Sequence, residues 1–191
     1  MLKKILISAI IFTLSVTAYS DTKEPDLDKG ELAVSSSQTG KYREATAIGV
    51  IEAPADIVWG IIIDYESHPE FMPMQKSSKI LKREGNTAWV KMLVDVGPTE
   101  INITNKNIQY ITPDKRTMTW DQDKGPFTLN SGKWIVEPYK KTKAKLTYTS
   151  SLAYPLLPNS LAEKLIKDSF PKLFKNFRKR ASDVMNAKKK G

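Results

Sequence analysis

The stretch Thr87 to Val96, TAWVKMLVDV, decides the class of fold, because its apolar side chains recur at every second residue. A period of two places one face of a β-strand against a core and the other toward solvent. The residues on the core face are Ala88, Val90, Met92, Val94 and Val96. Gly97-Pro98 ends the pattern, so the segment predicts one half-buried strand of an antiparallel sheet.

Segments of the same kind lie on both sides of this strand, and turn residues separate them. Short turns join antiparallel neighbours, so consecutive strands of this length predict a meander. With Thr87 to Val96, the six predicted strands include Lys76 to Lys82, Glu100 to Ile111, Arg116 to Gln122, Phe127 to Glu137 and Ala144 to Tyr154.

Ahead of the meander, Tyr42 to Glu52 predicts a further strand that ends at Ala53-Pro54. Pro54 and Asp56 are typical of the start of a helix, since proline fixes φ and aspartate favours the positive end of the helix dipole. A short amphipathic helix follows, and Ser67 to Met72 predicts a second brief helix or turn.

A long C-terminal helix is predicted from Ser160, whose spacing to Glu163 forms a capping box. Pro171 interrupts the amphipathic pattern, and we expect it to bend the helix near Lys167 to Phe170 or to divide it there. An antiparallel sheet with an apolar face needs a cover, and this helix is the only predicted element long enough. The predicted class is therefore α+β: a strand, two short helices, a six-stranded meander and a long helix.

The run Ile51 to Trp59, IEAPADIVW, and the run Asp64 to Pro73, DYESHPEFMP, resemble the opening of the START-like, or Bet v 1-like, superfamily. That superfamily includes polyketide cyclases and coenzyme Q-binding proteins. The motif Gly132-Lys133-Trp134 and the closing helix Pro158 to Arg180 extend the resemblance over nearly all of Tyr42 to Ala187. It implies a helix-grip fold, in which a curved antiparallel sheet wraps around the C-terminal helix and leaves a cavity for lipids, sterols, quinones or polyketides.

The N-terminus has the features of a secretory signal peptide: Lys3 and Lys4, the apolar run Ile5 to Ala18, and small residues before Asp21. The apolar run is shorter than the roughly 20 residues that span a bilayer. We therefore expect residues 1–20 to be cleaved near Ser20 and the protein to be periplasmic or secreted. Residues 21–41 are expected to form a flexible leader, compatible with a weak first strand at Glu31 to Ser37. The START-like domain is expected over 42–187, and 188–191 form a basic tail.

Several kinds of chemistry have no support in the sequence. The chain has no cysteine, which excludes disulfides, thiolate zinc sites and a cysteine nucleophile. His68 is the single histidine, and its position between Ser67 and Pro69 predicts a solvated turn residue rather than a base. Asp64 with Glu66, and Asp121 with Asp123, are read as solvated turn carboxylates. No catalytic residue, cofactor or metal is predicted, although some cyclases of the superfamily act mainly by orienting a reactive chain.

The chain is rich in tryptophan and methionine, side chains that line adaptable apolar pockets and also fill ordinary cores. We expect a ligand cavity between the sheet and the helix, with Leu156-Leu157 as an exposed apolar lip. The expected lining residues are Met92, Trp120, Trp134 and Tyr148 on the sheet and Leu165, Phe170 and Phe174 on the helix.

The formal net charge of +9 suits an anionic partner. Nucleic acid is not expected, because no motif of stacking aromatic residues accompanies the charge. Peripheral contact with an anionic membrane and a merely solvated helix face both remain open for the basic residues Lys172, Lys175, Arg178, Lys179, Arg180 and Lys188 to Lys190. The leading hypothesis is an exported binding or carrier protein for a lipid or quinone-like molecule. The alternatives are a cyclase-type enzyme on a polyketide-like substrate and a protein-interaction module with a filled cavity.

Overall fold

The computed structural model describes residues 25–97, 99–153 and 159–190, with the side chains of 159–167 and 190 outside the described set. The helices are α1, Ala55–Ile63, and α2, Asn159–Lys190, and 3-10 turns occupy Leu27–Lys29 and Tyr65–Glu70. The strands are β1 Ala33–Thr39, β2 Tyr42–Ile51, β3 Gln75–Glu84, β4 Thr87–Asp95, β5 Glu100–Ile111, β6 Arg116–Lys124, β7 Leu129–Tyr139 and β8 Lys143–Ala153.

The strands form one antiparallel sheet in the order β1-β2-β8-β7-β6-β5-β4-β3. The predicted six-stranded meander is confirmed as β3 to β8, in which each strand pairs with its neighbour in the chain. Strand β2 pairs with the last strand, from Arg43 opposite Leu152 to Ile51 opposite Ala144. The α+β helix-grip architecture is therefore confirmed.

The segment assigned to a flexible leader has regular structure in its described part. Strand β1 pairs along its whole length with β2, from Ala33 opposite Ile48 to Thr39 opposite Tyr42. The 3-10 turn before it is attached to the β7–β8 turn, because Asp28 accepts hydrogen bonds of 2.7 Å from both Tyr139 and Lys140. Side chains of β1 are mostly exposed, so main-chain pairing rather than apolar burial holds this strand.

Helix α2 is one continuous element across Pro171, so the predicted division of the helix at this point is wrong. Pro171 is exposed, and its missing N–H leaves only the Lys167 carbonyl without its helical partner. Phe170, Leu173 and Phe174 flank the proline and are buried. Burial of these side chains outweighs the helix propensity of about 3 kcal/mol that a proline costs.

The C-terminal half of α2 packs directly on the sheet, and Gly49 in β2 makes this approach possible. A Cβ at Gly49 would lie 2.8 Å from the ring of Phe174. The ring of Phe177 lies 5.3 Å from that of Trp134 and 5.2 Å from that of Phe71. Contact between helix and sheet is thus closed around Phe174 and Phe177. Neither helix, in its described residues, is both long and apolar enough to cross a membrane.

Candidate functional site

Toward the N-terminal side of Phe174, the sheet and α2 diverge and enclose a cavity of about 260 Å³. The inner faces of strands β2 to β8 form one wall, and the 3-10 turn at Tyr65–Glu70 and α2 close it from the other sides. The lining is mainly apolar. Apolar residues from β4 alone contribute Val90, Met92 and Val94, the same face that the alternation in TAWVKMLVDV predicts.

An aromatic cluster from three adjacent strands forms the widest part of the wall. Trp120 and Tyr148 are stacked with ring centres 5.5 Å apart and planes inclined by 15°. Trp134 lies opposite Tyr148 in the sheet register, with 4.2 Å between ring centres. Phe170 of α2 meets the edge of the Tyr148 ring at 5.4 Å. Helix and sheet are therefore joined through the aromatic side chains that border the cavity.

Gly132 in β7 makes room for this cluster. It lies opposite Trp120 in the register, and the Trp120 ring extends across it. A Cβ at Gly132 would collide with the indole carbons of Trp120 and with the carbonyl oxygen of Thr149. The glycine in the Gly132-Lys133-Trp134 motif is thus explained by the close approach of an indole ring.

Of the seven residues predicted to line the cavity, five do so: Met92, Trp120, Trp134, Tyr148 and Phe170. Phe174 is instead in the core, 1% exposed, because its ring packs over Gly49. The side chain of Leu165 lies outside the described residues, as does the Leu156-Leu157 segment. Leu173 borders the cavity in the place that the sequence analysis gave to Phe174.

His68 is buried, so the prediction of a solvated turn residue is wrong. The side chain is 6% exposed, and the rings of Tyr65 and Phe71 each lie 5.6 Å from it. Burial lowers the pKa of His68 to about 4, so the imidazole is neutral near pH 7. Its Nε2 lies 3.0 Å from the carbonyl oxygen of Ile62. A carbonyl oxygen only accepts, so Nε2 carries the proton and donates to it.

A row of polar side chains interrupts the apolar wall. Asn105 and Asn107 lie on the inner face of β5 and are buried. The side-chain amide of Asn107 donates to the carbonyl oxygens of Ala88 at 3.3 Å and Asn105 at 3.2 Å. Asn130 Nδ2 donates to Asn105 Oδ1 at 3.2 Å. The sequence analysis missed these residues, although Ile101, Ile103, Asn105 and Asn107 follow one alternating pattern.

Two further polar groups of β8 border the cavity. Burial raises the pKa of the Tyr148 hydroxyl to about 12, opposed by its hydrogen bond with Ser150. Tyr148 is therefore neutral at physiological pH and can donate or accept a hydrogen bond. The carboxylates of Asp64, Glu66, Asp121 and Asp123 are exposed and do not line the cavity. Among the described side chains, no cluster of three His, Asp or Glu residues could hold a metal ion.

The fold and its cavity define the START-like class of proteins. The sequence matches the family of polyketide cyclases/dehydrases and lipid transport proteins over residues 51–178, and the chain belongs to this family. Membership supports hydrophobic-ligand binding or cyclase-type activity in general. No curated protein matches the chain.

Solved structures share the fold at low sequence identity. Human StAR-related lipid transfer protein 5 is 11% identical with a TM-score of 0.72, covering 82% of this chain and 84% of its own. The STAR-related lipid transfer protein of Xanthomonas axonopodis is 17% identical with a TM-score of 0.69, covering 79% and 93%. The ZhuI aromatase/cyclase of Streptomyces sp. R1128 is 17% identical with a TM-score of 0.64, covering 74% and 94%. These similarities confirm the predicted START-like superfamily.

Proposed function

We propose that this protein is an exported binding or carrier protein that holds a lipid or quinone-like molecule between the sheet and α2. One observation carries the proposal: the described inner surface encloses about 260 Å³ lined by large apolar side chains. The aromatic cluster of Trp120, Trp134 and Tyr148 offers flat apolar surface to a ring or an acyl chain.

The size of the cavity argues against the alternative of an interaction module whose cavity is filled by its own side chains. Protein interiors are close-packed, with few voids larger than a water molecule. At about 24 cal/mol per Å³, an unoccupied cavity of this volume would cost about 6 kcal/mol, comparable to the whole stability of a small domain. A ligand that fills the cavity offsets this cost.

A cyclase-type enzyme has weaker support from the geometry. Among the described lining residues, His68 is the only imidazole, and at a pKa of about 4 it is a weak base. Its Nε2 donates to a main-chain carbonyl rather than to a carboxylate. The polar groups that remain, such as Tyr148 and Asn107, are suited to orienting a ligand by hydrogen bonds.

Export and membrane contact rest on charge patterns of the sequence. Lys3, Lys4 and the apolar run that follows them support export, and lie outside the described residues. On α2, Arg178 donates to the carbonyl of Val50, and Arg180 forms an ion pair with Glu70. These two arginines therefore serve the fold, and contact with an anionic membrane would depend on exposed lysines such as Lys172 and Lys175.

Native mass spectrometry of the protein purified from its own host compartment tests the proposal, and we expect an apolar molecule to remain bound. Met92→Trp should fill the cavity and weaken binding of the neutral probe N-phenyl-1-naphthylamine by about tenfold or more. Leu93→Trp is the matched control, because the neighbouring residue adds the same indole on the outer face of β4. Equal affinity of both variants and the unmodified protein would contradict binding in this cavity.

A further inference from the structure

Arg43 differs from every other residue that lines the cavity. It lies on the inner face of β2, in the same alternating set as Ala45, and it is half-buried. Among the described lining residues it is the only side chain that is charged at neutral pH, and no lining residue is a carboxylate. Glu44, next in the chain, points to the opposite face and accepts a hydrogen bond from Ser151.

The guanidinium of Arg43 lacks a partner. Its Nε is buried and forms no hydrogen bond with any described residue. The other four arginines each have a contact: Arg83 with the Tyr65 ring, Arg116 with Asp56, Arg178 with the Val50 carbonyl and Arg180 with Glu70. Buried polar groups are almost always hydrogen-bonded, and an unpaired buried cation is costly. An arginine kept in this state is explained if its partner belongs to the ligand.

The surroundings of Arg43 divide the cavity into a polar and an apolar part. Across the sheet, Arg43 is in register with Leu152, which is in register with Asn130. Asn130 reaches Asn105 by a hydrogen bond, so the polar row continues across the wall. The aromatic cluster lies further along the same strands, at Tyr148 and Trp134. Another buried donor without a partner, Gln75 Nε2, also borders the cavity.

We propose that Arg43 binds the carboxylate of a single-chain amphipathic acid whose apolar body lies against the aromatic cluster. The inference rests on the proposed function and names the ligand class for the same cavity. The planar guanidinium presents its N–H groups in a fork that matches two carboxylate oxygens. The volume favours one chain over two, because it is below the 300 to 1,000 Å³ that is roughly typical of pockets for drug-sized ligands.

The first test compares decanoate, decanol and decylamine as probes of the unmodified protein at low salt, with tryptophan fluorescence and calorimetry as readouts. We expect decanoate to bind about tenfold or more tightly than decanol, and decylamine to bind least, because a charge-assisted hydrogen bond is added in the acid and a like charge is introduced in the amine. Equal affinity for the acid and the alcohol would overturn this inference while leaving the proposed function intact. Absence of binding by all three would overturn both.

The second test uses Arg43→Met, which keeps much of the apolar volume and removes the charge. We expect this variant to lose the preference for decanoate while its affinity for decanol changes less than about twofold. Lys41→Met is the control for net charge, because Lys41 is exposed two residues earlier and does not line the cavity. Arg43→Lys keeps the charge without the fork and should retain part of the preference. Equal loss of acid and alcohol binding in Arg43→Met and Arg43→Lys would assign Arg43 to packing and refute the inference.

Discussion

Acidification should destabilise this protein through His68, and the size of the effect follows from its burial. The pKa is lowered from 6.5 in an exposed imidazole to about 4 in the folded protein, with desolvation as the main cause. Between these two values the unfolded chain binds the proton and the folded chain does not. The stabilisation is therefore complete above pH 6.5 and is lost as the pH falls to about 4. At about 1.4 kcal/mol per pH unit, the loss reaches about 3 kcal/mol.

The measurement is the free energy of unfolding in urea at pH 7.5, 6.5, 5.5 and 4.5, compared with that of His68→Gln. Carboxylates also titrate at the lower end, so only the difference between the two proteins reports on His68. The glutamine amide can still donate to the Ile62 carbonyl, and its charge does not change with pH. We expect the gap between the proteins to change by about 1.4 kcal/mol per unit below pH 6.5. Parallel profiles would refute the assignment of a buried neutral histidine, and NMR of the single histidine gives its pKa directly.

Four further changes have defined expected outcomes. Trp134→Ala should lower the free energy of unfolding by ~3 to 5 kcal/mol, because the ring packs on Phe177 as well as on the cavity; a smaller loss in thermal melts, together with weaker probe binding, would assign the ring mainly to the ligand. Gly132→Ala should displace Trp120 and weaken naphthylamine binding, as measured by titration; unchanged tryptophan emission would contradict the close approach. Pro171→Ala should stabilise α2 by up to ~3 kcal/mol, and an unaltered probe affinity would remove the proline from the control of cavity size. N-terminal sequencing of the exported protein should begin at or near Asp21, and retention of Met1 in the membrane fraction would contradict cleavage.

The sequence predicts the fold well where burial has a simple period. Alternation in Thr87 to Val96 and in the five other segments of the meander specifies which side chains share the inner face, and hence most of the cavity wall. Phe174 shows the limit of this reasoning, because a helical period gives the face of α2 but not the position along its axis. Only the approach of the ring to Gly49, more than 100 residues earlier, separates closed core from open cavity.

His68 and Arg43 were missed for related reasons. The neighbours of His68 are typical of an exposed turn, and its burial depends on Phe71 and on the helix that packs from the far end of the chain. Arg43 lies on the inner face by strict alternation with Ala45, Ala47 and Gly49, so the pattern did place it. A charged residue near the end of a strand normally reaches solvent, and that expectation outweighed the alternation.

The two buried titratable groups bordering the cavity indicate how stability and binding are balanced here. His68 is neutral and hydrogen-bonded to the main chain, so it stabilises the turn that closes the cavity without adding charge to it. Arg43 keeps its charge and has no described partner, so it lowers stability until an acceptor arrives. A protein selected for stability alone would replace Arg43 by an apolar side chain of similar volume, as Arg43→Met does. We therefore expect the variant that loses acid binding to unfold at a higher temperature than the unmodified protein, and decanoate to raise the melting temperature of the unmodified protein more than that of the variant.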